Sequence, residues 1–451
     1  MYPTDVCSAR YGAGWPTAPR LRCDIETGMR SASRLTLGIT RDFDRLWLGE
    51  TVSAVGTQLT ALALPTLAIF QLHATPLEVG WLTACSFAGY PVVGVLGAPL
   101  IDRFAHRSML LAMNGLRATA LATVPLAGAL GLVSLGQLAV VALVVSGGTA
   151  LFDAAYQATV PRLVQADRLL GANARLETSQ ATANFAGPAL AGWLIGLIGA
   201  VATIIGDAFS YLWSALMVSL ITVADEPART PRPNPVRDIL VSFVIWRRYP
   251  ALIAIAACVV ISNVGNMAVR TALLLVTYRA FGLGPVAAGW ILGTGGLASV
   301  LGATLAGRAS TKLGIGPSLV IATTIEGLAW AIAPLGLAGA PFVVLGVASA
   351  LSGVMTPIWN VNVVTLRQRI VAGSEQGRVV AVSRAFATAG VAIGAIMGGA
   401  LATILEAALG EQMGLVAAMT AGALVASLSA IPLIAGGVAR MRALQVVAET
   451  P

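Results

Sequence analysis

Residues 97–108 read GAPLIDRFAHRS and place Asp102, Arg103, His106 and Arg107 between two long apolar runs. A paler copy, GATLAGRASTKL, returns at 302–313. The runs on either side explain why such turns are needed. The chain has 451 residues, of which 57% are hydrophobic and 11% charged, whereas a soluble domain carries about 25% charged residues. So much apolar surface cannot be hidden from water by folding, and lipid must be its solvent. A helical span takes about 20 apolar residues to cross a hydrocarbon core of ~30 Å. Runs of that length recur along almost the whole chain.

Twelve spans are predicted, at 46–71, 78–101, 109–130, 134–155, 176–198, 202–224, 251–278, 284–307, 317–337, 341–364, 379–405 and 413–437. By this division 25 of the 28 Lys and Arg fall on the side of the termini and the even-numbered links. The other side has Arg279, beside Glu78, Glu406 and Glu411. The positive-inside rule then puts both termini in the cytoplasm of a multi-pass plasma-membrane protein. The net charge of +8 reflects that topology, and no basic domain offers itself to nucleic acid. Residues 1–44 lack the apolar stretch of a signal peptide and read as a disordered tail, with Met29 as an alternative start.

Catalytic signals are absent. Cys7, Cys23, Cys85 and Cys258 form neither a CxxC nor a metal spacing and read as free thiols. Lys312 is the only lysine and lies between Thr311 and Leu313, so no phosphate-loop GK[ST] exists. With His73 and His106 alone there is no histidine metal cluster. The expectation is a non-enzyme with no cofactor and no metal.

The chain also reads as a duplication. At a shift of 205, Gly97/Gly302, Ala98/Ala303, Leu100/Leu305 and Arg103/Arg308 are identical, and Arg107/Lys312 are both basic. At a shift of 206, Gly171 pairs with Gly377 and Gly192 with Gly398. Between the repeats, 225–250 opens Pro-rich and continues as an amphipathic helix, Val236–Arg248, for the membrane surface. The predicted fold is an all-α membrane protein of twelve transmembrane helices in two pseudo-symmetric six-helix halves, 45–224 and 251–438, with a C-terminal tail at 439–451.

The turn Ala98-Pro-Leu100-Ile-Asp102-Arg103-Phe-Ala105-His106-Arg107 resembles motif A of the major facilitator superfamily, G-x-L-x-D-R-x-G-R-R, with alanine at both glycine positions. FDAAYQATVPRLVQADRLLGANARLETSQATANFAGPALAGWL, 152–194, is similar to the exporter branch that includes enterobactin exporters and macrolide efflux proteins. NVNVVTLRQRIVAGSEQGRVVAVSR, 360–384, resembles the second half of that branch. The resemblance implies a monomeric secondary transporter that exports drug-, antibiotic- or siderophore-like amphiphiles by alternating access with proton antiport. An importer or facilitator of a small solute is the alternative within the transporter class, and a membrane-embedded receptor or enzyme is the alternative outside it. It further implies a latch of Asp102, Arg103, Arg107 and Asp153, in which Asp102 abuts the start of span 11 near Gly377–Arg378 and an arginine meets Asp153 of span 4. For Arg107 and His106 the plainer reading is a polar turn kept out of lipid. The second copy has Gly307 where the Asp would stand, so the latch is one-sided.

Glu50, Arg117, Asp207, Arg270 and Glu326 lie within predicted spans. Each costs about 2.5–3.5 kcal/mol at mid-membrane, so each is a functional candidate. Arg117 and Glu326 lie near mid-depth at ~1.5 Å per residue, whereas Glu50 and Asp207 lie nearer span ends, within snorkelling reach. Glu50, Arg117 and Glu326 are the proton-coupling candidates, with Glu50 leading because spans 1, 4, 7 and 10 are the expected cavity walls. Structural pairing is the alternative for Arg117, Asp207 and Glu326. Many relatives by this resemblance carry an Asp further along span 1, where this chain has Thr57 beside Gln58. Candidate cavity residues are Gln58, Tyr156, Asn263, Asn266, Trp359, Asn360 and Asn362, polar anchors in an apolar wall suited to an amphiphile. Their alternative role is hydrogen bonding between helices.

Overall fold

The computed structural model describes residues 41–96, 104–222, 246, 249–371 and 375–441. Every regular element among them is a helix. Lipid dictates this, because each backbone N–H and C=O must find its partner without water. The elements are α1 (Arg41–Phe70), α2 (Pro76–Leu96), α3 (His106–Ala129), α4 (Leu135–Leu163), α5 (Leu169–Ser219), α6 (Pro250–Leu275), α7 (Pro285–Leu313), α8 (Ile315–Trp330), α9 (Pro341–Ile370), α10 (Gln376–Leu409), α11 (Glu411–Leu428) and the short α12 (Ala430–Ala435). Ten helical stretches among the described residues are long and apolar enough to cross a membrane. Proline opens α2, α6, α7 and α9, at a position where its missing N–H would have no helical partner anyway. Ser134 caps α4 by accepting from the N–H of Gln137.

Some boundaries differ from expectation. Spans 5 and 6 run as one helix, α5, broken only at Gly199, whose φ of 82° and ψ of 164° are not helical. Glycine takes that φ without strain, so a single residue serves as the expected link. Residues 41–44 are helical rather than tail. Asp42 anchors this first turn by accepting from the N–H and hydroxyl of Thr222 (3.0 and 2.8 Å) and from Arg45 (2.8 Å). The ninth span is α-helical only to Trp330, and a 3₁₀ segment, Ala333–Ala338, follows. The tail at 1–40, Asp102, Arg103, the linker at 225–245 with most of its amphipathic helix, and 442–451 lie outside the described residues.

Helices α1–α5 pack among themselves, as do α6–α11, and the principal contacts between the two sets are α2 on α10 and α5 on α7. Both contacts are glycine crossings of the same geometry. A Cβ on Gly192 of α5 would stand 2.4 Å from the carbonyl oxygen of Pro285 and 3.0 Å from Cα of Gly289 in α7. A Cβ on Gly399 of α10 would stand 2.6 Å from the oxygen of Pro76 and 3.0 Å from Cα of Gly80 in α2. Helix association in lipid rests on van der Waals packing, which small residues permit by letting backbones touch. The spatial counterpart of Gly192 is therefore Gly399, one residue beyond the Gly398 paired with it by sequence. Gly398 instead faces Ala268 of α6.

The largest buried apolar cluster lies at this same end of the bundle. It joins Leu59, Leu62–Leu64 and Leu67–Ile69 of α1, Val79, Leu121, Leu138 and Ile204 to Val269 and Ala272–Leu275 of α6, Ile291, Trp330, Leu345, Ala402 and Met419. The hydroxyls of Thr66 and Tyr278 are 3.0 Å apart, and the Tyr278 ring packs on Phe70 at 4.9 Å. The N–H of Leu77 donates to Thr403 Oγ1 (3.1 Å). Arg279 closes this glycine end with ion pairs to Glu406 and Glu411, both at 2.6 Å.

Arginines gather at the other end. Arg45 donates to the carbonyl of Leu220, and Arg107 donates to those of Val218 (3.3 Å) and Ser219 (2.6 Å). These are the last carbonyls of α5, where the macrodipole favours cations. Arg175 pairs with Asp44 (3.0 Å) and lies over the Trp47 ring.

The crossings make a stability prediction. Gly192→Val should wedge α5 from α7 and lower the melting temperature of the detergent-solubilised protein, since overpacking costs about 1–3 kcal/mol. Gly115→Ala, whose added methyl meets nothing within 4 Å, should leave the melting temperature unchanged or raise it. Equal responses would deny the crossing its structural weight.

Candidate functional site

Arg117, on α3, is 2% exposed. Its guanidinium lies between the rings of Phe152 on α4 and Tyr211 on α5, at 4.4 and 4.2 Å from their centroids. A desolvated cation–π contact is worth about 2 kcal/mol or more, which offsets part of the cost of burying the charge. One terminal nitrogen donates to Thr149 Oγ1 (3.3 Å) and the other to Asn114 Oδ1 (2.5 Å). Nε has no partner. Among the described residues Arg117 makes no ion pair.

A relay starts from this guanidinium. Asn114, one turn before Arg117, donates through Nδ2 to Ser214 Oγ on α5 (2.9 Å). Ser214 in turn donates to Glu50 Oε1 on α1 (3.3 Å). Four side chains on three helices thus form one directed chain from cation to carboxylate. Each bond polarises the next in the same sense. The two charged groups are coupled without touching.

Asp207 completes the charge set of α1–α5. It is fully buried and accepts from the hydroxyls of Thr60 and Ser210, the latter at 2.9 Å. Tyr211, one turn on, brings its hydroxyl within 3.3 Å of Thr57 Oγ1. Snorkelling does not describe Asp207, because neighbouring hydroxyls solvate it inside the bundle. Glu50 is half-buried and likewise engaged.

Of the predicted proton-coupling residues, the structure thus joins Glu50 to Arg117 and leaves Glu326 apart. Glu326 of α8 accepts from Thr356 of α9 (3.3 Å). This repeats the α3–α4 link of Arg117 to Thr149 with the charge reversed. In the latch, Asp153 accepts from Tyr90 of α2 (3.0 Å).

The cavity candidates divide. Gln58 donates to Asn184 (2.8 Å), which also receives Gln180 (3.2 Å), tying α1 to α5. Tyr156 stacks on Phe152 at 6.1 Å. Asn263 donates to the carbonyl of Ala387 on α10 (2.9 Å), and Asn266 to Ser262 (3.1 Å). Asn360 is exposed. Asn362 is fully buried, donates to Ile358 O (2.8 Å) and accepts from Ser310 of α7 (2.7 Å). Trp359 packs against the clusters around Leu319 and Ala322. In this structure Asn362 bonds α9 to α7, and Trp359 is partly buried against its neighbours. Asn114 was available to sequence reasoning through its i, i+3 spacing to Arg117. Ser214 and Tyr211 carried no such local signal.

A helical bundle with internal charges and glycine-mediated crossings is that of a polytopic membrane protein, and comparison with known proteins gives its family. The model of the Major Facilitator Superfamily matches residues 46–276, just over half of the chain. The chain belongs to this superfamily. It is 26% identical over 392 residues to an uncharacterized MFS-type transporter of Sinorhizobium fredii, covering 86% of this chain and 94% of that one. It is 28% identical over 273 residues to an uncharacterized MFS-type transporter, YfiS, of Bacillus subtilis, covering 58% and 63%. Among solved structures, a bacterial homologue of the iron transporter ferroportin in its inward-facing state superposes with a TM-score of 0.67 at 17% identity, over 87% of this chain and 98% of that one. The nucleoside transporter NupG superposes at 0.68 with 11% identity, over 88% and 99%. A bacterial homologue of the human lysosomal transporter Spinster, inward-facing and unoccupied, superposes at 0.65 with 15% identity, over 89% and 97%. These likenesses show a shared fold.

The relay itself is testable. Asn114→Ala would leave Arg117 and Ser214 each short of a buried partner, at a cost of about 1–3 kcal/mol. Thermal unfolding of the purified protein should register that loss. Thr119→Ala, which removes an exposed hydroxyl bonded to its own helix at Gly115 and Leu116, serves as the control and should change little.

Proposed function

We propose that this chain is a twelve-span secondary transporter of the plasma membrane that exports amphiphilic small molecules by alternating access. In this reading α2 and the two limbs of α5 each count as a span, and the spans form two six-helix halves. Both termini and the arginine end are cytoplasmic. The observation that carries the reading is the pair of equivalent glycine crossings. They hold the two helix sets together at one end by backbone contact, with apolar packing and the Thr66–Tyr278 and Leu77–Thr403 hydrogen bonds around them, so the sets can rock about that end without breaking salt bridges across it. With the arginine end inward, the structure corresponds to a state closed to the outside. The branch resemblance to enterobactin exporters and macrolide efflux proteins supplies the outward direction and the amphiphilic substrate class. The protein acts as a monomer, with Asp102, Arg103, Arg107 and Asp153 as the cytoplasmic latch.

Protons are the proposed coupling ion, with Glu50 as their site. Protonation of Glu50 would remove the ionised acceptor at the end of the relay from Arg117. The relay connects α1 with α3 and α5, so a proton would change the electrostatic balance of three helices at once.

Two measurements test this. In inverted membrane vesicles, members of a panel of antibiotics and siderophores should accumulate when the lumen is acid, and nigericin should abolish the uptake. Accumulation confined to right-side-out vesicles would establish an importer instead. Glu50→Gln should reduce efflux to the level of passive exchange while leaving exchange itself intact. If the variant keeps the wild-type dependence on the pH gradient, Glu50 is not the coupling site.

A further inference from the structure

Arg117 and Arg270 both lie within the spans, and the structure treats them in opposite ways. Arg117 is dry, stacked between two rings and hydrogen-bonded through both terminal nitrogens. Arg270 of α6 is exposed, although Val269 and Thr271 on either side of it are buried. Its side chain therefore projects away from the packed faces of α6. Among the described residues it has no hydrogen bond and no ion pair.

The packing of α6 shows which way Arg270 points. Gly265 and Ala268 lie against Ala426 of α11 and Gly398 of α10, and Met267 packs with Ala84 of α2 and Ala395 of α10. Asn263 is turned to α10, where it donates to Ala387 O, and Asn266 and Arg270, spaced i, i+4, share the remaining face. The nearest charge that acts on Arg270 is Glu326. Glu326 lies beyond ion-pair distance and already accepts from Thr356. A guanidinium offers five N–H donors in a planar fork that matches a carboxylate, sulfonate or phosphate in two parallel bonds. Here all five are unused.

We propose that Arg270 anchors the substrate and that the transported amphiphile carries an anionic head group, with the amide of Asn266 one turn away on the same face. This rests on the transporter reading and narrows its substrate class. Because Tyr278 and Arg279, just beyond α6, lie at the glycine end, an anion bound at Arg270 attaches to a helix that leads to the proposed moving interface.

The test uses the full-length protein in phosphatidylcholine nanodiscs. The probes are anilinonaphthalene sulfonate, an amphiphilic anion, and N-phenylnaphthylamine, the same ring system without the sulfonate. Fluorescence titration should show saturable sulfonate binding that weakens roughly 10–100-fold in Arg270→Gln, the value of one charge-assisted pair. Binding of the uncharged probe should be unchanged, and Arg270→Lys should retain part of the sulfonate affinity. Equal loss of both probes in Arg270→Gln and Arg270→Lys would make Arg270 a structural residue. Absent sulfonate binding, or binding indifferent to Arg270, would overturn the anchor. Complete displacement of the sulfonate by phosphatidylglycerol in the nanodisc would assign the site to a lipid head group instead. Uptake of both probes in inverted vesicles separates the two ideas. Arg270-dependent binding without transport sinks the export reading and keeps the anchor. Transport of the uncharged probe alone does the reverse.

Discussion

The arrangement of the bundle depends on backbone touching backbone at two glycine crossings. Between Gly192 and Gly289, and again between Gly80 and Gly399, no side chain fits between the helices. Lipid gives little drive to bring apolar helices together, so close approach has to supply the attraction. The consequence is an interface of high surface complementarity and low chemical commitment. The apolar cluster that surrounds it, with the Thr66–Tyr278 contact at its centre, adds one polar link. The ion pairs at this end, from Arg279 to Glu406 and Glu411, lie within the α6–α11 set. They stiffen one side of the crossing without bolting the two sides together.

The charged groups follow a complementary rule. A buried ion in lipid must find hydrogen bonds or face water. Arg117, Glu50 and Asp207 follow the first course, sharing Asn114, Ser214, Thr60, Thr149 and Ser210 among them. Arg270 follows the second. The α1–α5 set therefore holds these three charges in hydrogen bonds, whereas Arg270 of the α6–α11 set has none among the described residues. Under the proposed function, this division separates ion coupling from substrate contact.

Much of this was legible one residue at a time. The helices, the basic end and the charges within the spans follow from hydropathy and residue type, which also set Arg279 on one face with Glu78, Glu406 and Glu411; the structure pairs it with the last two. The glycine pattern of α10 was readable as a packing face. Its partner was not, because Gly398 and Gly399 are equivalent by composition and only the helix phase decides which of them meets α2. Asn362 and Trp359 illustrate the same limit. A polar or aromatic residue on a cavity helix reads alike whether it faces the cavity or the neighbouring helix; in this structure Asn362 bonds α7 and Trp359 is partly buried against its neighbours.

The sequence alone determined that this chain lives in lipid, that it is helical throughout its described spans and which end gathers arginine. These follow from solvation free energies that each segment carries by itself. Tertiary structure decided which charges are joined and which are free. Glu50, Asn114, Arg117 and Ser214 become one relay only when α1, α3 and α5 meet at a particular rotation, and Arg270 stays open because no helix brings it a partner. Such pairings depend on helix phase and crossing position. A shift of one residue, about 100° around a helix, would reassign every one of them without changing the composition that the sequence displays.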